Sequence, residues 1–326
     1  MKSRILFVHN HAAKFVQMDL ALLRERYAVR EWYQRSRAVN LPALTRAVAQ
    51  TDLVFGWFAS WHTFFPVVFA RALHRPAVLV VGGYDTANMP EIGYGSQRGG
   101  VKRQIARRTM RMATRLVAFS DFSRAEAIQN AGMPPDQVAM IYVGVEDCRM
   151  KSRPKERLVV TAGNVDRDNL QRKGLESFVR AAALLPDIPF VVIGAWRDDA
   201  IDRLRSIAGP NVTFTGWVSD EQLRDYFARA RVYVQASRHE GFGLAVAEAM
   251  LSECVPVVTR AGALPELVGE TGVYVDSAAP EDIAAGVRRA LELDEGTRAR
   301  DRVVTQFPLA KRKQKLYALI DQVLHD

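Results

Sequence analysis

Short runs of β-branched and aromatic residues recur through the first half of the chain, at Ile5–Val8, Val29–Trp32, Leu53–Phe55, Val78–Val81, Leu116–Phe119 and Met140–Val143. Between them the pattern is amphipathic, which predicts helices over Met18–Glu25, Pro42–Ala49, Val67–Leu73, Val101–Ala113 and Ser123–Asn130. Strands alternating with helices imply a parallel sheet wrapped on both faces. Asp147 to Glu156, polar, charged and holding Pro154, breaks the rhythm and reads as a linker. The alternation resumes at Leu158–Ala162, Phe190–Ile193, Val212–Phe214, Val232–Gln235 and Val255–Thr259. In one intervening helix, Leu175–Leu185, the residues Leu175, Phe178, Val179, Ala182 and Leu185 share a face. The expected fold is α/β, two doubly wound parallel-sheet domains at 1–150 and 155–307 facing a cleft. A basic amphipathic helix, about 308–326, closes the chain and packs back on the first domain. Ligands in such sheets sit at the carboxyl ends of strands.

Length supports this division, since 326 residues exceed one core of ordinary size. Hydrophobic content of 48% and charged content of 25% are those of a soluble globular protein. Cys148 and Cys254 lie far apart, without metal-ligand spacing, and fit a reducing compartment and nothing more; the expected location is cytoplasmic. The apolar run Ile5–Val8 meets His9-Asn10-His11 and reads as a first strand rather than a leader. Leu53 to Ala70 carries no formal charge, but Gly56, Ser60, His62, Thr63 and Pro66 interrupt it. About 20 continuous apolar residues are needed to cross a bilayer. A strand, a loop and a helix opening near Pro66 explain the run better. A net charge of +9 invites an anionic partner, whether nucleic acid, acidic lipid or phosphorylated substrate.

The segment Ser237-Arg238-His239-Glu240-Gly241-Phe242-Gly243-Leu244 follows a predicted strand and leads into a helix carrying Glu248. Gly241 and Gly243 expose backbone N–H groups, and a helix start adds unpaired donors and positive dipole, a seat suited to a diphosphate. Glu240 can accept hydrogen bonds from sugar hydroxyls, and Glu248 from a ribose diol. Arg172 and Lys173, before the helix at Leu175, oppose that helix's dipole, which suggests that an anion sits between them. No GxxxxGK[ST] or GxGxxG fingerprint is present, which argues against an NTPase or a dehydrogenase.

The acid-Gly-Phe-Gly-Leu run ending in a second Glu resembles the E-x7-E motif of retaining family-4 glycosyltransferases. Pro256-Val257-Val258, Gly262-Ala263-Leu264-Pro265-Glu266-Leu267-Val268, Arg172-Lys173-Gly174, Gly194, Gly216-Trp217-Val218-Ser219 and Glu221-Gln222-Leu223 fall in the order of that family. The resemblance is tight from Leu158 to Val275 and looser before. It implies a GT-B fold of two Rossmann-like domains, the nucleotide-sugar held by the second and the acceptor by the first. Lys173 and Arg172 would hold the diphosphate, and Glu240 with the backbone of Gly241, Phe242, Gly243 and Leu244 would face sugar and phosphate. Glu248 would bind ribose; Asn164, Gly194 and Trp217 would adjoin the donor, Trp217 bordering the base or packing in the core. Similar enzymes need neither metal nor cofactor and react on one face of the sugar, the departing phosphate oxygen taking the acceptor's proton.

Several positions depart from the family. Gly163-Asn164 stands where Gly-Arg is common, so Arg167 or Arg172 must substitute or the site has one cation fewer. His9-Asn10-His11-Ala12 replaces a Gly-Gly loop, and Gly82-Gly83-Tyr84-Asp85 lacks the His of a His-Asp pair. Candidates on the acceptor side are His9, Asp85 and Ser120. Asp166-Arg167-Asp168 spells an acid-x-acid metal motif, but hard cations need more oxygen ligands than this loop supplies. Arg103, Arg107, Arg111 and Arg115 recur every four residues, with Lys102 and Arg108 alongside, opposite Val101, Ile105, Met112 and Leu116. The spacing predicts an amphipathic helix whose cationic face meets solvent or the anionic inner face of a membrane, with a lipid-linked or cell-envelope acceptor. Stacking motifs on a basic sheet are missing, which argues against nucleic acid. Competing readings are a nucleotide-sugar epimerase or phosphorylase of the same scaffold, or a non-catalytic basic binding module.

Overall fold

The computed structural model describes residues 2–147 and 154–325. The chain divides into two compact units, residues 1–144 with 310–326, and residues 145–309. Unit 1 runs β1 (Arg4–His9), α1 (Lys14–Arg26), β2 (Ala28–Tyr33), α2 (Leu41–Ala49), β3 (Leu53–Trp57), α3 (Trp61–Ala72) and β4 (Ala77–Val81). Short 3-10 turns follow, then α4 (Gly100–Met112), β5 (Arg115–Ala118), α5 (Asp121–Gln129) and β6 (Val138–Met140). Its sheet is parallel in the order β2-β1-β3-β4-β5-β6, with Ile5 level with Val29 and Leu53. β3 and β4 are buried along their whole length, which is why they read as unbroken apolar runs.

Unit 2 runs β7 (Glu156–Ala162), α6 (Arg167–Arg172), α7 (Leu175–Ala183), β8 (Phe190–Ile193), α8 (Ala200–Ile207), β9 (Val212–Phe214) and α9 (Asp220–Arg229). It continues through β10 (Ala230–Gln235), α10 (Leu244–Leu251), β11 (Val255–Val258), α11 (Leu264–Val268), β12 (Val273–Tyr274), α12 (Pro280–Glu292) and α13 (Gly296–Gln306). The strand order is β12-β11-β10-β7-β8-β9, again parallel. Phe178, Phe190, Val232, Val257 and Ile283 belong to one buried cluster of this unit. The expected linker at Asp147–Glu156, and Cys148 within it, lie largely outside the described residues, and Glu156 already opens β7. Cys254 is buried, its thiol donating to the Phe227 and Ala230 carbonyls, and burial pushes it up to about 11. Such a thiol is inert.

Three expectations change. First, α3 opens at Trp61 rather than near Pro66: the Thr63 hydroxyl accepts from the Ser60 N–H at 3.1 Å and donates to the Phe58 carbonyl at 2.7 Å. Pro66 therefore lies inside the helix, where its lack of an N–H removes one helical bond. Second, β6 ends at Met140, before most of the expected strand. Third, α4 turns its small residues inward. Ala106, Thr109 and Met110 are buried, whereas Val101 is 74% exposed. Arg107 leaves the expected cationic stripe: it is half-buried and donates to Gln97 Oε1 (3.0 Å) and to the Asn130 carbonyl (2.5 Å). Arg115 belongs to β5.

The last helix, α14 (Leu309–His325), packs on unit 1 through Leu316, Ile320 and Val323. Arg312 forms a bidentate pair with Asp19 at 2.7 and 2.6 Å, with side chains 2% and 0% exposed. Its remaining nitrogen donates to the Ile141 and Tyr142 carbonyls at 2.9 and 3.0 Å. Removing one partner of a buried pair strands the other, at a cost of roughly 3–5 kcal/mol. Arg312→Ala is accordingly expected to destabilise unit 1 by about that amount in urea unfolding, whereas a loss within experimental error would show that α14 is not pinned by this pair.

Candidate functional site

In unit 2 the loops leaving the carboxyl ends of β7, β10 and β11 meet. Gly174 caps α7 with φ 68°, and a Cβ there would come within 2.3 Å of the Ala236 carbonyl oxygen. Beside it the Arg238 N–H donates to the Arg172 carbonyl at 2.8 Å, tying the turn after α6 to the loop after β10. On the other side Gly262, φ 61°, brings its Cα against Glu240, where a Cβ would lie 2.1 Å from the Glu240 carbonyl oxygen. The Ala263 N–H donates to that same carbonyl at 2.9 Å, and the Thr259 hydroxyl donates to the Ser237 carbonyl at 2.6 Å. Only glycine permits approaches this close.

These closures place Lys173 Nζ 3.7 Å from Glu240 Oε2, with side chains 17% and 14% exposed. Lys173 and the loop that leads to Gly243 thus converge. Burial works to raise the Glu240 carboxyl, but Lys173, Arg172 and His239 outweigh it and hold the group below the usual carboxylate range. Burial lowers the Lys173 ammonium, against the pull of Glu240. The Gln235 amide and the Ser237 hydroxyl lie 3.5 and 3.4 Å from Glu240 Oε2, at the outer limit of bonding. Gln235, the last residue of β10, is not among the expected site residues, and Ser237 opens the Glu240 segment without an expected role of its own.

Gly243 is the cap of α10 with φ 97°, followed by Leu244 as the helix's first residue; Glu248 lies half-buried a turn further on. Gly241, Phe242 and Gly243 are all buried, the Phe242 ring packing edge-on against Phe307 at 5.5 Å, so the exposed glycine N–H groups expected here are not seen. Gly194, φ 151°, sits so close to β7 that a Cβ would fall 1.9 Å from the Gly163 carbonyl oxygen, and its N–H donates to the Gly216 carbonyl at 3.1 Å. Trp217, next in the chain, is 74% exposed, which rules out core packing. Asn164 is exposed and its carbonyl accepts from the Asn169 amide at 2.9 Å.

Arg167 does not replace the missing arginine: it is spent on a bidentate surface pair with Asp199 at 2.8 and 2.6 Å. Arg172 remains, its guanidinium donating to Asn169 Oδ1 at 2.6 Å. The dipole argument for the cations also changes. Arg172 ends α6 and Lys173 is its C-cap, where carbonyl dipoles favour positive charge, so their position needs no bound anion to offset a penalty. Asp166 caps the same helix by accepting from the Asn169 N–H at 2.8 Å.

The acceptor-side candidates in unit 1 are all buried. His9 is 1% exposed, stacked on Tyr33, with ring nitrogens 2.9 Å from Glu31 Oε1 and 2.9 Å from the His11 carbonyl. Ser120 accepts from the Ser123 N–H and so caps α5. Asp85, 2% exposed, accepts from the Ala59 and Gly82 N–H groups at 2.9 Å each. They brace the loops at the sheet's carboxyl edge.

A sequence model described as "Glycosyltransferase Family 4" matches residues 6–149, and one described as "Glycosyl transferases group 1" matches residues 156–293. The chain belongs to the family-4 glycosyltransferases. Its fold is the two-domain α/β fold of the GT-B type, the crystal structure of Anabaena HepE in complex with UDP and glucose superposing with TM-score 0.81 at 17% identity over 98% of this chain and 100% of that one. The chain is 29% identical over 221 residues to the O-antigen chain mannosyltransferase B of Escherichia coli, covering 61% of this chain and 56% of that protein. It is 32% identical over 174 residues to the lipopolysaccharide core biosynthesis mannosyltransferase LpcC of Rhizobium leguminosarum, covering 48% and 49%. The chain thus spans about half the length of the curated relatives it matches.

Two outcomes test this family-4 site and its setting. Gly262→Ala is expected to lower stability by about 1–3 kcal/mol, because a side chain at positive φ collides with the Glu240 backbone. An unshifted urea midpoint would refute that contact. Burial pushes the Asp85 carboxyl up to about 7, against about 3.9 in an unfolded chain. The folded state binds that proton more tightly, so Asp85's contribution to stability is complete below about pH 4 and is lost as pH rises through about 7. Asp85→Asn should therefore flatten the melting temperature between pH 4 and 7; the same slope in both proteins would contradict the assignment.

Proposed function

We propose that the chain moves a hexose from a nucleotide-diphosphate sugar to a hydroxyl of a lipid-linked or cell-envelope glycan, with retention at the anomeric carbon and without a metal. The observation that carries the reading is the Lys173–Glu240 pair at 3.7 Å, which joins the turn after α6 to the loop after β10. As the glycosidic bond to the donor breaks, negative charge grows on the diphosphate. In this reading Lys173, Arg172 and the α10 dipole stabilise that charge, which binds the transition state better than the ground state. The cations and backbone amides of the chain, rather than a metal, offset the charge of the leaving group in this reading.

In this reading Glu240, held ionised, accepts hydrogen bonds from the sugar and orients it. Glu248 takes the ribose diol, and Trp217 flanks the base. The leaving phosphate oxygen accepts the acceptor's proton on the face from which it departs, so no separate protein base is required. Unit 1 holds the acceptor. The mannosyltransferases of O-antigen and lipopolysaccharide core synthesis that the chain resembles support a hexose donor and an envelope glycan, and the UDP and glucose bound to HepE support a nucleotide-sugar. A cytoplasmic location is proposed with them; among the described residues no helix is long and apolar enough to cross a membrane.

Lys173→Ala and Glu240→Ala should each cut turnover by about 10²–10³ while the far-ultraviolet circular dichroism stays unchanged. Near-normal turnover in either would refute the assignment. Glu248→Ala should weaken nucleoside diphosphate binding about tenfold by calorimetry; unaltered affinity would remove Glu248 from the ribose.

A further inference from the structure

Charge is distributed unevenly over unit 1. Helices α2, α3 and α4 pack side by side, α2 on α3 and α3 on α4, and contain no Asp or Glu. They carry Arg46, Arg71 and the basic residues of α4. Between Asp52 and Asp121 the only carboxylates are Asp85, which is buried, and Glu91. By contrast α1 and α14 mix both signs, as in the Lys313–Glu25 and Arg26–Asp321 pairs.

The same layer is rich in aromatics and opens a groove. Trp61, Phe64, Phe65 and Phe69 lie on α3, each only half-buried. Between α3 and α4 a groove of about 510 Å³ is lined by Phe64, Gly100, Val101, Gln104, Ile105 and Arg108. Val101, Gln104, Ile105 and Arg108 are spaced to share one face of α4. A valine 74% exposed thus borders a groove that joins the apolar side chains of Phe64 and Ile105 to the polar Gln104 and Arg108. Arg111, exposed, lies one turn beyond, and Lys102 sits over the Tyr84 ring with its Nζ 3.1 Å from the phenol oxygen. Isolated surface valines need no explanation, but a partly apolar groove in a carboxylate-free, cationic and aromatic layer has the chemistry of an interfacial surface. A polyanion without hydrocarbon, such as nucleic acid, would leave the groove unfilled.

We propose that this face of unit 1 docks on an anionic bilayer, Val101 and the α3–α4 groove taking lipid hydrocarbon while Lys102, Arg108 and Arg111 take lipid phosphate. The cationic surface is therefore not the four-residue arginine stripe of α4: Arg107 points inward and Val101 outward. This docking does not depend on the donor-site assignment, which lies in unit 2.

The test is flotation of the full chain with vesicles of phosphatidylcholine alone or mixed with phosphatidylglycerol. Binding should be at least tenfold stronger to the mixed vesicles and fall as salt rises. Arg108→Ala and Arg111→Ala should each weaken it about fivefold. Val101→Asp should weaken it at least tenfold, since it removes the apolar contact and adds a repelled charge. Nucleoside diphosphate affinity should be the same in all three variants, so that loss of membrane binding and failure of the donor site are read separately. Equal binding to both vesicle types, no binding to either, or an equal loss on Arg298→Ala in the exposed Arg298–Glu295 pair of unit 2 would overturn the proposal. So would tighter binding to duplex DNA than to the mixed vesicles.

Discussion

An ammonium and a carboxylate that are both mostly hidden from water must be held face to face, or each becomes a liability. Lys173 and Glu240 meet that condition at 3.7 Å, on loops 67 residues apart in sequence (240 minus 173). What keeps them there is backbone rather than side chain. Gly174 lies against Ala236, Arg238 bonds Arg172, and Gly262 with Ala263 grips the Glu240 carbonyl. Any side chain at those glycines would push a loop away and open the pair. The remaining features of the site, from the α10 start to the glycine contact between Gly194 and Gly163, extend this frame to the edge of the sheet.

Much of this was legible from residue order, because buried parallel strands and short glycine-bearing loops leave strong local marks. The strands β1, β3, β4, β8 and β10 fall where apolar runs predict them, and the Arg172-Lys173-Gly174 turn and the Glu240–Glu248 segment do lie in one unit at strand ends. The errors arose where tertiary context decides. Thr63 starts α3 by bonding back to Ser60, a reciprocal cap hidden in an aromatic run. Arg107 is drawn inward by Gln97 and Asn130, contacts that periodicity cannot foresee, and α4 buries alanine and threonine in preference to valine. The six-residue helix α6 was missed for its brevity, and with it the true electrostatic setting of Arg172 and Lys173.

The two units use charge in different ways. Unit 2 concentrates it, with Arg172, Lys173 and Glu240 acting on one another in a small space. Unit 1 spreads it: one helical layer has no carboxylate, while the sheet edge beneath buries Asp85 and His9 as braces. Under the proposed function the first arrangement serves to neutralise a leaving group, and under the proposed docking the second serves to approach a surface.

The most direct test of the central claim, a diphosphate seat built on Lys173, Arg172 and Glu240, is a thermal-shift comparison of nucleoside diphosphates with the corresponding nucleosides. At about 100 times its dissociation constant, a nucleoside diphosphate should stabilise the chain by roughly 2.7 kcal/mol. The nucleosides at the same concentration should give little shift. Equal shifts from both, or none from any diphosphate, would mean that the cations and glycine amides of unit 2 do not form a phosphate site.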